Sequence, residues 1–398
     1  MIRHVWPLVV AAVALGVDAY VLAGVLPQIA TSLQTTVAAI GLGVATFTAA
    51  YAVAGPLLSS PLARRGAARA LLWALGIFNA GNLATALAPG IEVFLASRVV
   101  AGAGAGVLTA IATATAAAMV EKHDRGRAMS MVTFGLSTGT VAGVPLGMVI
   151  GQSAGWRWTM GLVVAIGVLG MVALAARARR LPGLVTAASG GAFRVLRSRR
   201  IAVGVTAAFL LGTASLGLYT YLMPMAEAGG LAEWGFALVW AWGIGGVAGS
   251  AVIGRPLDRF GPRPFLIVLP TLLIASFATL WLAGSPVAWV AAAAVWGAAG
   301  WASVPTLQQA LTKDRSDQAM PIIAFQMAAM YLGASAGSAL GGALLAAGVD
   351  AADLAAAAGI PAVLALALAV TLAAWTRQIR AFRPERLADN APSPRTYT

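Results

Sequence analysis

Pro61-Leu62-Ala63-Arg64-Arg65-Gly66 and Pro256-Leu257-Asp258-Arg259-Phe260-Gly261 are two copies of one pattern, displaced by 195 residues in a chain of 398. Self-similarity at so long a period marks a duplicated architecture. Each copy is polar and lies between two long apolar runs, so each reads as a tight connection between helices rather than as part of a core. The chain is 60% apolar and only 10% charged, with a mean hydropathy of +0.86, which excludes an ordinary water-soluble domain. About 20 helical residues cross a hydrocarbon core of ~30 Å. Working outward from the two copies, stretches of that length recur at 6–28, 39–62, 69–88, 92–119, 128–151, 157–176, 202–224, 235–256, 265–283, 286–311, 319–346 and 354–376. Both copies then fall between the second and third helix of a six-helix half. Arg3 ahead of an apolar run could suggest a signal peptide, but the run exceeds the usual 7–15 residue signal core and carries Asp18, so it reads as a mature helix.

The charge of +13 does not point to nucleic acid, because its distribution follows the membrane. If the N-terminus is cytoplasmic, 24 of the 26 lysines and arginines fall on the cytoplasmic side, with Arg98 inside a helix and Arg157 on the other face as the exceptions. This is the positive-inside bias, and it requires an even number of spans. The expected organisation is an N-terminal bundle over 1–176, a basic cytoplasmic linker over 177–200 with Ser189-Gly190-Gly191 at its middle, a C-terminal bundle over 201–376 and a cytoplasmic tail over 377–398. The linker arginines would also serve as an anchor to anionic lipid. Both termini are expected in the cytoplasm of a bacterium, with the protein multi-pass in the inner membrane.

There are no cysteines and only two histidines, His4 and His123. Thiolate chemistry is excluded, and no metal or other cofactor is expected. An enzyme would need a nucleophile or paired intramembrane carboxylates, and neither is visible. A scaffold or sensor would need a soluble domain of useful size, and none is visible either.

The two copies resemble the signature that the major facilitator superfamily carries between helices 2 and 3, a glycine-rich helix end followed by Asp-Arg-x-Gly. Asp258, Arg259, Gly261 and Arg263 match it; Arg64, Gly66 and Arg69 match it in the first copy, where Ala63 replaces the aspartate. The resemblance implies that this loop braces the two halves through its aspartate. Arg98-Val99-Val100-Ala101-Gly102-Ala103-Gly104 is similar to the family's Arg-x-x-x-Gly-x-Gly in helix 4. Gly139, Gly143, Val144, Pro145, Leu146 and Gly147, followed by Gly151-Gln152 and Gly155-Trp156-Arg157-Trp158, resemble the helix-5 antiporter signature of the 12-helix drug:proton antiporter branch, which includes chloramphenicol, sugar and purine exporters. Glycines four apart also let neighbouring helices approach closely. Gly333, Gly337, Gly341 and Gly342 repeat the spacing in helix 11. The fold implied is all-α, with two six-helix bundles related by a pseudo-two-fold axis; a monomer is the default for it.

Secondary transport needs a buried group that changes its protonation or ion binding during the cycle. Asp18 is the only acidic residue well inside an expected helix, and Asp18 with Pro27 has the spacing of a helix-1 signature found in drug antiporters. In the branch suggested by helix 5 a glutamate often stands at the next position, here Ala19. Asp18 is the candidate proton carrier and Arg98 its candidate partner. A permanently paired structural carboxylate and direct binding of a cationic drug are the alternatives. Asp258 and Asp314 are assigned to gating or surface roles. A substrate cavity is expected near the midplane between the halves, with Tyr20, Tyr219, Trp240, Trp242, Trp296, Trp301, Gln326, Met330 and Tyr331 as candidate lining groups. Aromatic and methionine surfaces suit varied apolar ligands, although each aromatic could equally belong to an interfacial belt or to packing. The expected function is export of small amphipathic molecules in exchange for protons by alternating access. The alternative is proton-independent facilitated transport or import of a nutrient such as a sugar or nucleoside.

Overall fold

The computed structural model describes residues 2–22, 25–35, 37–182 and 192–381. The middle of the expected linker and most of the expected tail lie outside the described residues. Helix occupies every one of the twelve expected stretches: α1 Ile2–Val21, α2 Val37–Ala63, α3 Ala67–Ala86, α4 Ile91–Ala118, α5 Arg125–Ala154, α6 Trp156–Ala176, α7 Arg199–Tyr219, α8 Gly235–Val252 with its continuation Gly254–Phe260, α9 Arg263–Leu282, α10 Pro286–Thr312, α11 Ala319–Ala346 and α12 Leu354–Ala381. Nine helices among the described residues are both long and apolar enough to cross a membrane. The others are α1, α3 and α5. In α3 the apolar run is diluted by Arg69, Asn79 and Asn82, and in α5 by glycine, serine and threonine. Large apolar side chains such as Trp73, Leu282 and Val287 are exposed on the outside of the bundle, as lipid-facing positions must be.

Two expected spans are interrupted. The first ends at Val21, and a separate short helix, Leu26–Ser32, starts with Pro27 in its first turn, where the missing N–H costs nothing. The seventh contains a π-turn at Gly212–Leu216 and gives way after Tyr219 to a short helix, Leu222–Ala228. The repeated pattern ends each time in a glycine with positive φ, +100° at Gly66 and +74° at Gly261. That conformation is strained for any side chain, and it turns α2 into α3 and α8 into α9.

The two halves pack by the same scheme. In the first, α1 lies against α5 and α6, α4 against α2 and α3, and α3 against α6; in the second, α7 lies against α11 and α12, α10 against α8 and α9, and α9 against α12. Glycines set the closest of these contacts. A Cβ on Gly139 would stand 2.2 Å from the Val13 carbonyl, and one on Gly333 would stand 2.0 Å from the Phe209 carbonyl. These two glycines are 194 residues apart, so α5 and α11 are counterparts in register. Without hydrophobic drive between helices in lipid, small residues that admit such contacts hold the bundle together.

Across the halves α2 meets α11 and α5 meets α8. The Tyr51 and Tyr331 rings cross edge to face with centroids 4.9 Å apart. Val141 packs on Gly243, the Ser137 and Ser250 hydroxyls are 2.8 Å apart, and Asp258 reaches the start of α5. These contacts run from mid-bundle toward the face that carries loops 64–66, 119–124, 261–262 and 313–318, the arginine- and lysine-rich face. The halves are bridged on that side, beside a cavity of about 700 Å³ lined by Ala114 and Met129 from one half and by Asp258 and Gln309 from the other.

Candidate transport site

Asp18 is fully buried, and the reason it faces inward is local. Gly16 lets α1 press against the Leu136 carbonyl and Thr140 of α5; two residues later, at 100° per residue, Asp18 points to the opposite side, toward α3 and α4. There Arg98 Nη1 donates to Asp18 Oδ1 at 2.9 Å. Arg98 is 1% exposed and Asp18 0%, so this ion pair is shielded from bulk solvent. The guanidinium also lies over the Phe47 ring of α2, 4.4 Å from its centroid, and Gly43 opens the space beside the Arg98 stem and Phe94. Such a pair is stable only while both charges are present, because removing one leaves an uncompensated buried ion.

A third side chain, which the sequence pattern does not mark, completes the cluster. Asn82 of α3, also fully buried, accepts from Arg98 Nη1 through Oδ1 at 2.9 Å and donates through Nδ2 to Asp18 Oδ2 at 3.3 Å and to the Phe78 carbonyl at 3.2 Å. The available signal was an amide in the middle of an apolar helix, one turn after Asn79.

The candidate lining groups divide among different surroundings. Trp242, Trp296 and Trp301 form a cluster inside the C-terminal bundle, with Trp242 edge to face against both others and stacked on Tyr219 at 4.0 Å between centroids. Trp296 is fully enclosed; its indole donates to Ser215 Oγ at 2.8 Å and its ring packs on Phe277. Trp240 points away from this cluster and meets Phe236. Gln326 and Met330 face a narrow apolar slot together with Trp301, Ser215 and the π-turn of α7, whereas Tyr331 turns to Tyr51 across the interface. The slot has room for about two water molecules, which is too small for a drug-sized ligand in this conformation. The side chains of Tyr20 and Pro145 lie outside the described residues.

The residues expected to act in gating lie at the basic face. Asp258 Oδ1 accepts the Gly126 N–H at 2.7 Å and Oδ2 the Arg127 N–H at 3.0 Å. Gln309 of α10 approaches the same carboxylate at 3.5 Å. Arg259 lies over the Phe260 ring at 5.1 Å, Arg64 is exposed, and Gly66 and Gly261 make the turns described above. Gly139, Gly143 and Gly147 all press on α1, against Val13, Val17 and Val21. Among the described residues no group of three or more histidines and carboxylates could hold a metal ion.

A family model of the Major Facilitator Superfamily matches residues 8–329. The chain belongs to this superfamily. It is a multi-pass membrane transporter and not an enzyme. It is 31% identical over 340 residues to a chloramphenicol resistance protein of Streptomyces lividans, covering 83% of this chain and 86% of that one. It is 27% identical over 353 residues to the inner membrane transport protein YdhP of Escherichia coli strain K12, covering 86% of this chain and 88% of the relative. Among solved structures, the transporter FucP in its outward conformation superimposes with a TM-score of 0.73 at 17% identity, over 93% of this chain and 98% of that one. That likeness establishes the superfamily fold.

Proposed function

We propose that this transporter exports small amphipathic molecules in exchange for protons, with Asp18 as the proton carrier and Arg98 as its charge partner. The observation that carries the reading is the ion pair sealed inside the N-terminal bundle, at 2.9 Å and without exposure, in a protein whose work is to move solutes. A permanent structural pair of this kind is a poor source of stability, since its desolvation cost offsets its attraction; a group that must alternate between charged and neutral forms has a reason to be there. Protonation of Asp18 neutralises it and releases its hold on Arg98, so the packing of α1 on α3 and α4 changes with proton occupancy. The distribution of arginine and lysine supports the basic face as the cytoplasmic one, where Asp258 and the Ser137–Ser250 contact bridge the halves. The protein resides in a bacterial inner membrane, both termini cytoplasmic, and works as a monomer. A chloramphenicol resistance protein among the relatives supports a neutral, partly apolar substrate, and the slot beside Trp301 and Met330 is where such a molecule would first meet the C-terminal bundle as the halves rock.

The test is reconstitution into liposomes containing a pH-sensitive dye, with an imposed proton gradient and chloramphenicol as the probe. Substrate-dependent proton movement that vanishes in Asp18→Asn is the expected outcome. Chloramphenicol exchange without proton movement would favour a facilitator and overturn the coupling.

A further inference from the structure

We propose that Asn82 is the positioning residue of the proton site: it holds the Arg98 guanidinium when Asp18 is neutral and thereby sets the pH at which Asp18 can take up its proton. The inference rests on the reading of Asp18 as carrier. It begins from a geometric fact, that one Arg98 nitrogen, Nη1, is shared between Asp18 Oδ1 and Asn82 Oδ1 at the same distance of 2.9 Å. The arginine cannot lose its proton, so protonating Asp18 leaves a cation buried in lipid-enclosed protein. A buried cation without an acceptor is a large cost, and Arg98 Nε already has no partner. Asn82 Oδ1 is the acceptor that remains. Its amide oxygen bears no formal charge, so it competes weakly with an ionised Asp18 and holds the guanidinium once that charge is gone. The opposite end of the same amide donates to Asp18 Oδ2 at the longer distance of 3.3 Å, and its second anchor, the Phe78 carbonyl, keeps the side chain in place in both states.

Among the described residues no other charged group enters this balance. Arg98 is the only charged side chain facing Asp18 among the described residues. The buried middle of α5 and that of α6 carry none, and Arg157 at the start of α6 is held by Ser32 and the Ala88 carbonyl. From the described residues of α2 the cluster receives the Phe47 ring. Among the described residues Asn82 is therefore the polar neighbour bonded to both members of the pair, and its replacement changes their electrostatics without removing either charge.

Two replacements act in opposite directions. In Asn82→Leu the long bond to Asp18 Oδ2 is lost, but loss of the shorter bond to Arg98 outweighs it. Among the described residues the guanidinium then keeps Asp18 as its only acceptor, neutralising Asp18 becomes costlier, and the acid limb of the pH–rate profile moves to lower pH. In Asn82→Asp the new carboxylate takes over the guanidinium charge, and the limb moves to higher pH. A residue that merely fills space would shift neither or both alike. The measurement is chloramphenicol-dependent proton flux in liposomes as a function of pH for wild type, both variants and Asp18→Asn, with the thermal unfolding of each checked in detergent. Opposite displacements of about one pH unit or more support the proposal; coincident profiles, or displacements of the same sign, overturn it while leaving the carrier reading intact if Asp18→Asn abolishes proton flux. Undiminished proton flux in Asp18→Asn removes the carrier and the inference together.

Discussion

The Asp258 carboxylate accepts the Gly126 backbone N–H at 2.7 Å, joining the end of α8 in one half to the first turn of α5 in the other. Together with the Arg127 N–H it satisfies two of the free donors that every helix start exposes, and its charge complements the positive end of the helix dipole. Capping interactions of this kind contribute about 1 kcal/mol, which is about a fivefold change in an equilibrium. Replacing Asp258 by Ala is expected to shift the protein about that much toward opening on the basic face. The chain has no native cysteine, so a single cysteine at Ala114, in the wall of the cavity beside the latch, reports the shift cleanly. Its labelling by a membrane-impermeant maleimide should accelerate several-fold in Asp258→Ala; equal rates would remove the latch role.

The counterpart of this latch lacks its carboxylate and one of its two donors. Ala63 stands where the pseudo-symmetry places a second aspartate, and it is almost fully buried. The 194-residue register that pairs Gly139 with Gly333 pairs Arg127 with Pro321, which has no N–H to donate. An aspartate at Ala63 alone would bury a carboxylate against a helix start with a missing donor, so Ala63→Asp should lower the unfolding temperature. Adding Pro321→Ala restores the donor. The double variant is expected to regain stability and to turn over more slowly than wild type, since two latches must then open; thermal unfolding and liposome flux measured on the same preparations decide it. Failure of the second change to recover stability would show that Ala63 does not face the start of α11.

The close approach of α1 and α5 gives a packing prediction. A Cβ at Gly139 would lie 2.2 Å from the Val13 carbonyl and 2.9 Å from the Val17 nitrogen, both backbone atoms that cannot rotate away. Gly139→Ala therefore has to separate the helices, with the overpacking cost of about 1–3 kcal/mol, whereas Gly76→Ala in α3, with nothing within 4 Å of the added carbon, should be neutral or slightly stabilising through helix propensity. Unfolding temperatures of the two variants, compared in one detergent, should separate clearly. A tolerated Gly139→Ala would mean that α1 is not held this tightly.

What could be read from the sequence was whatever is encoded locally or by period. The paired Pro61–Gly66 and Pro256–Gly261 segments, the alternation of arginine-rich breaks and the glycines four apart in α5 all announce themselves without knowledge of contacts, and they lead to two six-helix bundles. The site was less legible. Asp18 and Arg98 stand out as charges in apolar helices, yet they are 80 positions apart, and only the packing of α1 on α4 decides that they meet. Asn82 carries no charge and breaks no period, so nothing separated it from a tolerated polar residue. Trp240 and Trp242 are alike in type and two positions apart, but a helix turns about 200° between them, and one enters the cluster while the other leaves it. The π-turn in α7 arises where Gly212 sits under the Met330 carbonyl and Gly217 against Gly337, a demand of tertiary packing that no local propensity reveals.

The buried pair itself yields a prediction that separates stability from function. Taking one charge from a sealed ion pair costs about 3–5 kcal/mol because the other is left uncompensated, whereas replacing both by neutral groups is often close to neutral. Asp18→Asn should be the more destabilised, since the guanidinium cannot shed its charge and keeps only the Asn82 oxygen as an acceptor among the described residues. Arg98→Gln should be destabilised as well, and less, because a lone buried carboxyl can be neutralised by a proton. The double variant should recover much of the loss, giving a coupling energy well above the ~0.5 kcal/mol expected of independent sites. Transport-linked proton flux should be absent from all three. Unfolding midpoints across this cycle, measured alongside flux in liposomes, would then show stability returning in the double variant without coupling. If flux returned with stability, the pair would be a scaffold element and proton exchange would have to occur elsewhere in the bundle.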